Sequence, residues 1–454
     1  ILYTSGSTGE PKGVMQTHAG LLTQIGRYAE SLELAPTDRL SLLSGYGFDA
    51  AAQDIFGALL TGAAVLPVDM RAARGAVGVV DELVAAHATV LHATPTVYRH
   101  LLGGDLRCEH DLSRIRLLVL GGEVARRSDF ELFKARFRPG TRFVNGLGLT
   151  ESTCALQFFG DHETDLPGQI VPLGQPVPGM EVELQDMSGR PSWYGEIVLR
   201  GRGIATGYWD RPALTASRFG LDPADPRRRI YRTGDIARLL PDGQLAYVGR
   251  RDDQVKLRGF RIELGEIEAT LNGHPDVEEC AAAVIEHLPG EGQLAAYLRP
   301  LPGAVPKAEE LRAHCRRLLP DWMVPQAYVV LDELPRLASG KLDRLRLPTP
   351  DRPACSAVPP RTELEAQLSE LWAELLKLNQ IGIHDDFFRL GGHSLLATRV
   401  VSRIRDRLGL EIPLVFLFEH STVARLADAI EAGTGIFTAR PSAEPRARRQ
   451  TIRL

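Results

Sequence analysis

The most informative part of the sequence is a short loop near its start, Thr4-Ser5-Gly6-Ser7-Thr8-Gly9-Glu10-Pro11-Lys12-Gly13. Its glycines allow tight turns and let backbone N–H groups approach phosphate oxygens closely. The hydroxyl groups of its side chains and the ammonium group of Lys12 add donors for the same anion. The loop lacks the GxxxxGK[ST] spacing of a Walker loop. A polar surface loop has a similar composition, but the complete string predicts a phosphate-binding site.

Four further motifs follow in order: NGLGLTE at 145–151, YRTGD at 231–235, GRRDDQVKLRG at 249–259 and SGKLDR at 339–344. With the first loop they closely resemble the ordered motifs of the adenylate-forming enzymes, which include acyl-CoA synthetases, luciferases and the adenylation domains of nonribosomal peptide synthetases. The resemblance covers nearly the whole chain. It implies an α/β adenylate-forming fold with a large N-terminal α/β core, a β-rich subdomain and a small C-terminal α+β domain.

The resemblance also implies how ATP and Mg²⁺ are held. Thr150 would contact phosphate, Glu151 would hold Mg²⁺, and Lys341 would bridge the substrate carboxylate and the phosphate oxygens, so these three are the expected catalytic residues. Positive charge suits this chemistry because a carboxylate and a phosphate repel each other. The residues implied in ATP binding are Ser5, Gly6, Ser7, Thr8, Gly9, Lys12, Asp235 and Arg250.

Two further roles follow from the same resemblance. Asp235 is acceptor-only when ionised, which suits the two ribose hydroxyls of ATP. Asp252 matches the hinge about which the small domain swings between an adenylating and a thioester-forming pose. In the second pose the segment near Gly259 is expected to line a tunnel.

The family's substrate-recognition segment begins at Phe48-Asp49 in this chain. In peptide synthetases the matching aspartate pairs with the α-ammonium group of the amino acid. Fatty and aryl acids lack that group, and a buried unpaired carboxylate is costly, so Asp49 favours an amino acid. By motif register, the remaining pocket positions are Ala50, Gln53, His92, Val119, Gly121, Gly146, Cys154 and Ala155. We expect a substrate side chain that can hydrogen-bond. Without the register, His92 would be interpreted as a hydrogen-bonded core histidine.

A second site is DDFFRLGGHSLL at 385–396, in which Ser394 precedes apolar residues. A serine there suits a helix N-cap. The stretch also closely resembles the attachment site of peptidyl carrier domains, where a phosphopantetheinyl transferase adds 4′-phosphopantetheine to the serine. His393 would be a neighbour of that site and not a metal ligand. Helical spacing around the site, at about 394–407 and 422–431, predicts an all-α carrier bundle.

These patterns divide the chain into five predicted parts. They are the adenylation core 1–251, its C-terminal subdomain 252–346, a Pro-rich linker 347–361, a peptidyl carrier domain 362–433 and a basic tail or interdomain linker 434–454. Because Ile1 to Thr4 reads as the end of a strand, we expect an N-terminally truncated fragment that lacks a large part of the N-terminal core. The alternative is a processed chain, and the sequence leaves open whether this chain is active by itself. Neighbouring condensation or thioesterase domains are the expected partners.

Composition excludes several other classes of protein. The 454 residues carry a net charge of −4, which argues against nucleic acid as a partner. The five cysteines form no CxxC pair, which argues against a zinc site or a disulfide framework. No apolar run of about 18 residues occurs, so no membrane span is predicted. We expect a cytoplasmic protein.

The sequence therefore predicts an enzyme that activates an amino acid as aminoacyl-AMP and transfers it to the phosphopantetheine thiol on Ser394, in nonribosomal peptide biosynthesis. One alternative is an acyl-AMP ligase for a fatty or aryl acid, against which Asp49 argues. Another is a non-catalytic remnant that carries a working carrier domain, against which the retained charged residues of the motifs argue.

Overall fold

The computed structural model describes residues 1–4, 11–70, 75–103, 110–251, 254–257, 259–286, 292–336, 342–350, 358–388, 390–392, 394–432 and 437–438. They form two compact units. The larger comprises Ile1–Val68 and Val80–Glu266, and the smaller comprises Asp69–Val79 and the described residues from Ile267 onward. None of the helices in these ranges is both long and apolar enough to cross a membrane.

The described residues contain twelve α-helices. They are α1 His18–Ser31, α2 Asp49–Thr61, α3 Gly75–Ala85, α4 Pro95–Leu102, α5 Arg127–Arg136, α6 Pro212–Arg218, α7 Leu264–Asn272, α8 Ala308–Leu318, α9 Glu363–Leu376, α10 Ser394–Leu408, α11 Leu414–Glu419 and α12 Val423–Glu431.

The same ranges contain 22 β-strands. They are β1 Leu2–Thr4, β2 Lys12–Met15, β3 Arg39–Leu42, β4 Ala64–Pro67, β5 Val90–Ala93, β6 Leu117–Gly121, β7 Arg142–Leu149, β8 Thr153–Gly160, β9 Gln175–Pro176, β10 Met180–Gln185, β11 Tyr194–Gly201, β12 Gly207–Tyr208, β13 Phe219–Asp222, β14 Asp225–Leu239, β15 Leu245–Arg250, β16 Gln254–Leu257, β17 Phe260–Glu263, β18 Val277–Glu286, β19 Gly292–Pro300, β20 Ala327–Val330, β21 Leu410–Glu411 and β22 Phe437–Thr438.

The larger unit is built on a sheet whose described strands run in the order β4-β3-β5-β6-β7-β8-β9. Strands β4 to β7 pair in parallel, whereas β8 and β9 are antiparallel additions. Leu117, Leu118 and Leu120 of β6 are fully buried, as expected for a parallel strand covered on both faces. The α/β architecture predicted for this part of the chain is confirmed.

A second, antiparallel sheet forms the β-rich part of the same unit. Its described strands have the order β10-β11-β14-β13, and β15 pairs with β14. The turn that leads into β15 contains Gly243 at φ 81°, a backbone conformation that glycine adopts without strain. The β-rich subdomain that the resemblance implies is therefore present.

A short hairpin follows the antiparallel sheet and places charged residues near the site. Strands β16 and β17 are antiparallel, with Lys256 opposite Arg261 and Leu257 opposite Phe260. Gly259 lies in the connecting turn at φ 82°. Opposed residues in an antiparallel pair share one face, so Lys256 and Arg261 are directed to the same side of the hairpin.

The smaller unit contains the three-stranded sheet β18-β19-β20 together with α7 and α8. These elements agree with the small α+β domain that the resemblance implies for this part of the chain. Ala281, Ala295 and Tyr297 form the centre of its core.

The predicted carrier region is a bundle of α9 to α12 around Trp372, Phe387, Ile404, Leu417 and Leu426, all fully buried. The prediction of an all-α bundle is correct for the helices but incomplete. The two-residue strands β21 and β22 also pair. Strand β22 falls in the segment predicted as a basic tail, and the remainder of that segment lies outside the described residues.

Candidate active site

The candidate active site is a cavity of about 230 Å³ in the larger unit. It lies where β5, β6 and β7 end and where α2 begins, and its lining includes His92, Gly121, Gly146 and Asp49. Ligands of open parallel sheets bind at the carboxyl ends of the strands because the loops and helix N-termini converge there. The topology thus brings together positions that are far apart in sequence.

Most of the predicted pocket residues line this cavity. They are Asp49, Ala50, Gln53, His92, Val119, Gly121, Gly146 and Cys154. Ala155 is not among the lining residues and is fully buried in the core. Ala155 is the unpaired residue where the β7–β8 register shifts, since Leu147 pairs with Leu156 and Gly148 pairs with Cys154.

Asp49 and Thr150 are in direct contact. The Thr150 hydroxyl donates to Asp49 Oδ2 at 2.7 Å. Asp49 is the first residue of α2, and its Oδ1 accepts from the Ala50 N–H at 2.8 Å. A carboxylate has about four lone-pair positions, so these two bonds leave acceptor capacity for a ligand cation.

Glu151 lies at the centre of a buried charge cluster. Arg261 Nη1 is 3.0 Å from its Oε2, the Tyr208 hydroxyl donates to its Oε1 at 2.8 Å, and Lys12 Nζ is 3.7 Å from Oε1. Burial alone would raise the pKa of Glu151, but the charges of Arg261 and Lys12 outweigh it and hold the pKa at about 2. Glu151 is therefore ionised at neutral pH.

Lys12 is the second cation of this cluster. It lies near the end of the predicted phosphate loop, where β2 begins, and its side chain is largely buried over the Tyr208 ring. Burial and the charge of Arg261 lower its pKa to about 8, against the opposing effect of Glu151. The cations of Lys12, Arg261 and Arg218 act here together with the carboxylates of Glu151 and Glu263, so the cluster keeps positive charge that suits a phosphate group.

The arrangement around Glu151 does not fit a Mg²⁺ ligand. Arg261 Nη1 contacts both carboxylate oxygens, at 3.3 and 3.0 Å. Mg²⁺ bound with ATP normally takes one or two carboxylates together with water and phosphate oxygens. Within the described residues there is also no cluster of three or more His, Cys, Asp or Glu side chains that could hold a metal. The metal-binding role of Glu151 remains a prediction that requires Arg261 to move.

Asp235 and Arg250 form a second buried pair nearby. Arg250 Nη1 donates to Asp235 Oδ1 at 2.7 Å, and both side chains are almost fully inaccessible. Asp235 Oδ2 is buried and has no hydrogen-bond partner among the described residues. An unpaired buried acceptor is unfavourable, so this atom is suited to accept from a ligand hydroxyl.

The hairpin β16–β17 contributes residues that the sequence reasoning did not assign. Lys256 interacts electrostatically with Asp235 and Asp49, and burial lowers its pKa. Gly259 and Phe260 line the same cavity as Asp49. The Gly259 N–H donates to Glu123, which also accepts from the Thr96 N–H at 3.0 Å. The alternating pattern QVKLRGFRIE was the available signal, since it predicts a hairpin with both cations on one face.

Asp54 is the other residue that the sequence reasoning missed. Its Oδ1 lies 2.7 Å from His92 Nδ1, and both side chains are buried. An aspartate in the middle of the apolar helix α2 was the available signal, because buried carboxylates require a partner.

Several predicted site residues lie outside the described residues. They are Ser5, Gly6, Ser7, Thr8, Gly9, Asp252 and Lys341, together with His393. Their roles remain predictions.

Ser394 is the first residue of the fifteen-residue helix α10. A glycine turn precedes it. Gly391 has φ 100°, and a Cβ on Gly392 would overlap the buried ring of Phe387. This close approach fixes the turn at the start of α10, where the helix dipole favours an anionic group such as a phosphodiester.

Comparisons with known proteins agree with this geometry. Residues 1–209 match the family model of AMP-binding enzymes, 266–341 match the C-terminal domain of those enzymes, and 366–430 match the phosphopantetheine attachment site. The chain is 41% identical over 434 residues to a dimodular nonribosomal peptide synthase of Bacillus subtilis, covering 94% of this chain and 18% of that protein. It is 37% identical over 440 residues to gramicidin S synthase 2 of Brevibacillus brevis, covering 95% of this chain and 10% of that protein. The chain thus spans less than a fifth of the length of either relative.

Among solved structures, the chain resembles holo-PA1221, described as a nonribosomal peptide synthetase protein containing adenylation and peptidyl carrier (PCP) domains bound to a vinylsulfonamide inhibitor. The TM-score is 0.76 and the identity 31%, over 95% of this chain and 72% of that chain. The ordered motifs, the cavity at the strand ends and the carrier bundle have the same explanation: the chain belongs to the adenylation and peptidyl carrier domain proteins of the nonribosomal peptide synthetase family.

Proposed function

We propose that the chain activates an amino acid with ATP as aminoacyl-AMP and passes it to the thiol of a 4′-phosphopantetheine arm on Ser394. The observation that carries this proposal is the 2.7 Å bond between Thr150 and Asp49. It joins a residue of the predicted nucleotide-binding loop to the carboxylate predicted to bind the α-ammonium group. An amino acid held by Asp49 would therefore have its carboxylate close to the phosphates.

The adenylation step joins two anions, so it requires fixed positive charge. Lys12 and Arg261 supply this charge beside Glu151, and Lys256 lies within electrostatic range of Asp49 and Asp235. Preorganised cations in a buried site stabilise a phosphoryl transition state more strongly than they would in water. Attack by the substrate carboxylate on the α-phosphate forms the mixed anhydride and releases pyrophosphate.

The nucleotide is expected to be oriented by the second buried pair. Asp235 Oδ2 is available to accept from a ribose hydroxyl, while Arg250 holds the carboxylate in place. The metal expected to accompany ATP is Mg²⁺, which would reduce the repulsion between the two anions. Glu151 would hold it only after its carboxylate is released by Arg261.

The thioester step requires the carrier thiol to attack the acyl carbonyl and release AMP. This step depends mainly on positioning, because AMP is a good leaving group. Gly259 and Phe260 line the cavity beside Asp49, which agrees with the prediction that this segment lines the route of the arm. A phosphopantetheinyl transferase and neighbouring synthetase domains are the proposed partners.

ATP–pyrophosphate exchange tests the proposal. The complete gene product should catalyse exchange with one class of amino acid and not with fatty or aryl acids. Asp49→Asn should abolish most of the exchange, whereas the control Asp165→Asn, at an exposed loop position, should leave it unchanged. Exchange only with acids that lack an α-amino group would instead identify an acyl-AMP ligase.

A further inference from the structure

The inner end of the cavity contains a proton-sharing pair formed by His92 and Asp54. Nδ1 and Oδ1 are 2.7 Å apart, and the exposed fractions of the side chains are 10% and 1%. Only His92 lines the cavity, so Asp54 is its hidden partner on α2. Burial alone would lower the pKa of His92, but the adjacent Asp54 carboxylate outweighs it and raises that pKa.

This pair has a defined chemical character when it holds its proton. Whether the proton lies on Nδ1 or on the carboxylate, the pair has no net charge and Nε2 carries a hydrogen. Nε2 lies 3.9 Å from the position that a Cβ on Gly121 would occupy, and Gly121 lines the same cavity. The pair therefore offers one hydrogen-bond donor to a ligand without offering charge.

Two further polar side chains line the cavity without protein partners. Gln157 and Tyr28 are only 4% and 3% exposed. Among the residues that the structure describes, neither amide atom of Gln157 nor the Tyr28 hydroxyl has a hydrogen-bond partner. Buried polar groups are normally paired, so these atoms indicate a ligand that supplies both a donor and an acceptor.

Glycines leave space beside these groups. Gly146 pairs with Gln157 across β7 and β8, and a Cβ on Gly146 would lie 3.9 Å from Cys154 Sγ. A Cβ on Gly121 would lie 3.9 Å from His92 Nε2 and 3.5 Å from the Gly146 carbonyl oxygen. A larger residue at position 121 would therefore fill space beside His92.

Amino acid side chains differ in how well they can pair with the polar groups of this pocket. An apolar side chain leaves the polar groups of Gln157, Tyr28 and His92 unpaired. A carboxylate offers only acceptors and buries a charge with no net counter-charge, and a cation faces the donor on His92. A carboxamide is uncharged, and its oxygen can accept from His92 while its NH₂ group and remaining lone pair satisfy Gln157 and Tyr28.

From these contacts we infer that the pocket selects an amino acid whose side chain ends in a carboxamide, asparagine or glutamine. The inference rests on the proposed amino-acid-activating function and specifies its substrate class. His92 and Gln157 determine specificity by contacting the side chain, and Asp54 acts as a positioning residue through His92.

The test is ATP–pyrophosphate exchange by the complete gene product with asparagine, glutamine, aspartate, glutamate, leucine, methionine, lysine and serine. We expect kcat/KM for one carboxamide to exceed the values for its carboxylate and apolar analogues by at least about 100-fold, because sites built for hydrogen bonds reject analogues that lack them. Higher kcat/KM for serine, or for a charged or apolar amino acid, overturns this inference and leaves the proposed function intact. Exchange only with acids that lack an α-amino group overturns both.

A substitution then tests which residues act. Gln157→Leu should lower kcat/KM for the carboxamide at least about tenfold and raise the relative use of leucine. Gln367→Leu, on the exposed face of α9, is the matched control and should change neither value. Equal loss for all substrates in Gln157→Leu, with unchanged discrimination between carboxamide and leucine, would overturn the role of Gln157 in specificity.

Discussion

The hydroxyl of Thr150 donates to Oδ2 of Asp49 across 2.7 Å, although 101 residues separate the two in sequence. One belongs to the loop after β7, and the other begins α2. The bond ties the predicted ammonium-binding carboxylate to the predicted phosphate-contacting loop. An amino acid bound by Asp49 and a nucleotide bound by Thr150 would consequently be linked through a single hydrogen bond.

Removing this bond should weaken use of the amino acid. Thr150→Val keeps the shape of the side chain but leaves Asp49 Oδ2 without its donor. Hydrogen bonds to charged groups contribute about 1.5–3 kcal/mol, so we expect kcat/KM for the amino acid to fall about tenfold or more in pyrophosphate exchange. The control Thr61→Val, at the last residue of α2, should leave kcat/KM unchanged. A change confined to the KM for ATP would assign Thr150 to phosphate binding alone.

The charge cluster around Glu151 should make stability depend on pH in a defined direction. The pKa of Glu151 is about 2 in the folded chain against an ordinary 4.5, so the carboxylate stabilises the fold above pH 4.5. That contribution is about 3 kcal/mol and is lost as the pH falls from 4.5 to 2. Lys12 stays protonated throughout this range, because its pKa is about 8.

Calorimetric unfolding of Glu151→Gln and wild type measures this effect. The variant should unfold at a lower temperature at pH 7, and the difference between the two proteins should shrink between pH 4.5 and 2. Glu163→Gln, at an exposed loop position, should match wild type at every pH. A difference that stays constant down to pH 2 would show that the cluster does not stabilise the ionised form.

A substitution at the tip of the β16–β17 hairpin should slow thioester formation more than adenylation. A Cβ on Gly259 would lie 2.8 Å from Thr94 Cγ2, and its φ of 82° strains any other residue. Gly259→Ala should therefore displace the tip from the cavity and slow thioester formation at least about tenfold, while pyrophosphate exchange is less affected. Gly249→Ala is the control, since no atom lies within 4 Å of its added Cβ. Equal loss of both half-reactions in Gly259→Ala would contradict the assignment.

Alanine substitutions of the predicted catalytic lysine and of the attachment serine should each affect a different half-reaction. Lys341→Ala should severely reduce adenylation but leave thioester transfer from supplied aminoacyl-AMP largely intact. Ser394→Ala should keep adenylation and lose covalent loading, measured by mass spectrometry of the intact protein. Persistent loading of Ser394→Ala would identify a different attachment residue.

Residues within short contiguous motifs could be predicted from the sequence, because local backbone geometry and chemistry are encoded together there. Asp49, Thr150, Asp235 and Arg250 are predicted in this way, and their roles remain predictions. Asp54, Lys256 and Arg261 are not predicted, since their positions at the site depend on which helix or hairpin face meets the cavity. That relationship arises only from tertiary packing.

The structure changes the interpretation of two predicted site residues. The motif register predicts Ala155 in the pocket, but Ala155 lies at the bulge where the strand register shifts between Leu147 and Gly148, and it is buried in the core. Glu151 was expected to hold Mg²⁺, but it is paired with Arg261. The sequence alone does not show that the cation paired with Glu151 is Arg261.

The burial of Asp54 behind His92 constrains how this pocket can change during evolution. Replacing His92 alone would leave the buried Asp54 carboxylate without its partner, and replacing Asp54 alone would leave the His92 imidazole without its proton acceptor. Either single step passes through a destabilised intermediate, whereas the double replacement does not. Descendants with a new amino acid preference should therefore carry changes at positions 54 and 92 as a correlated pair, and laboratory reprogramming should vary the two codons in one library.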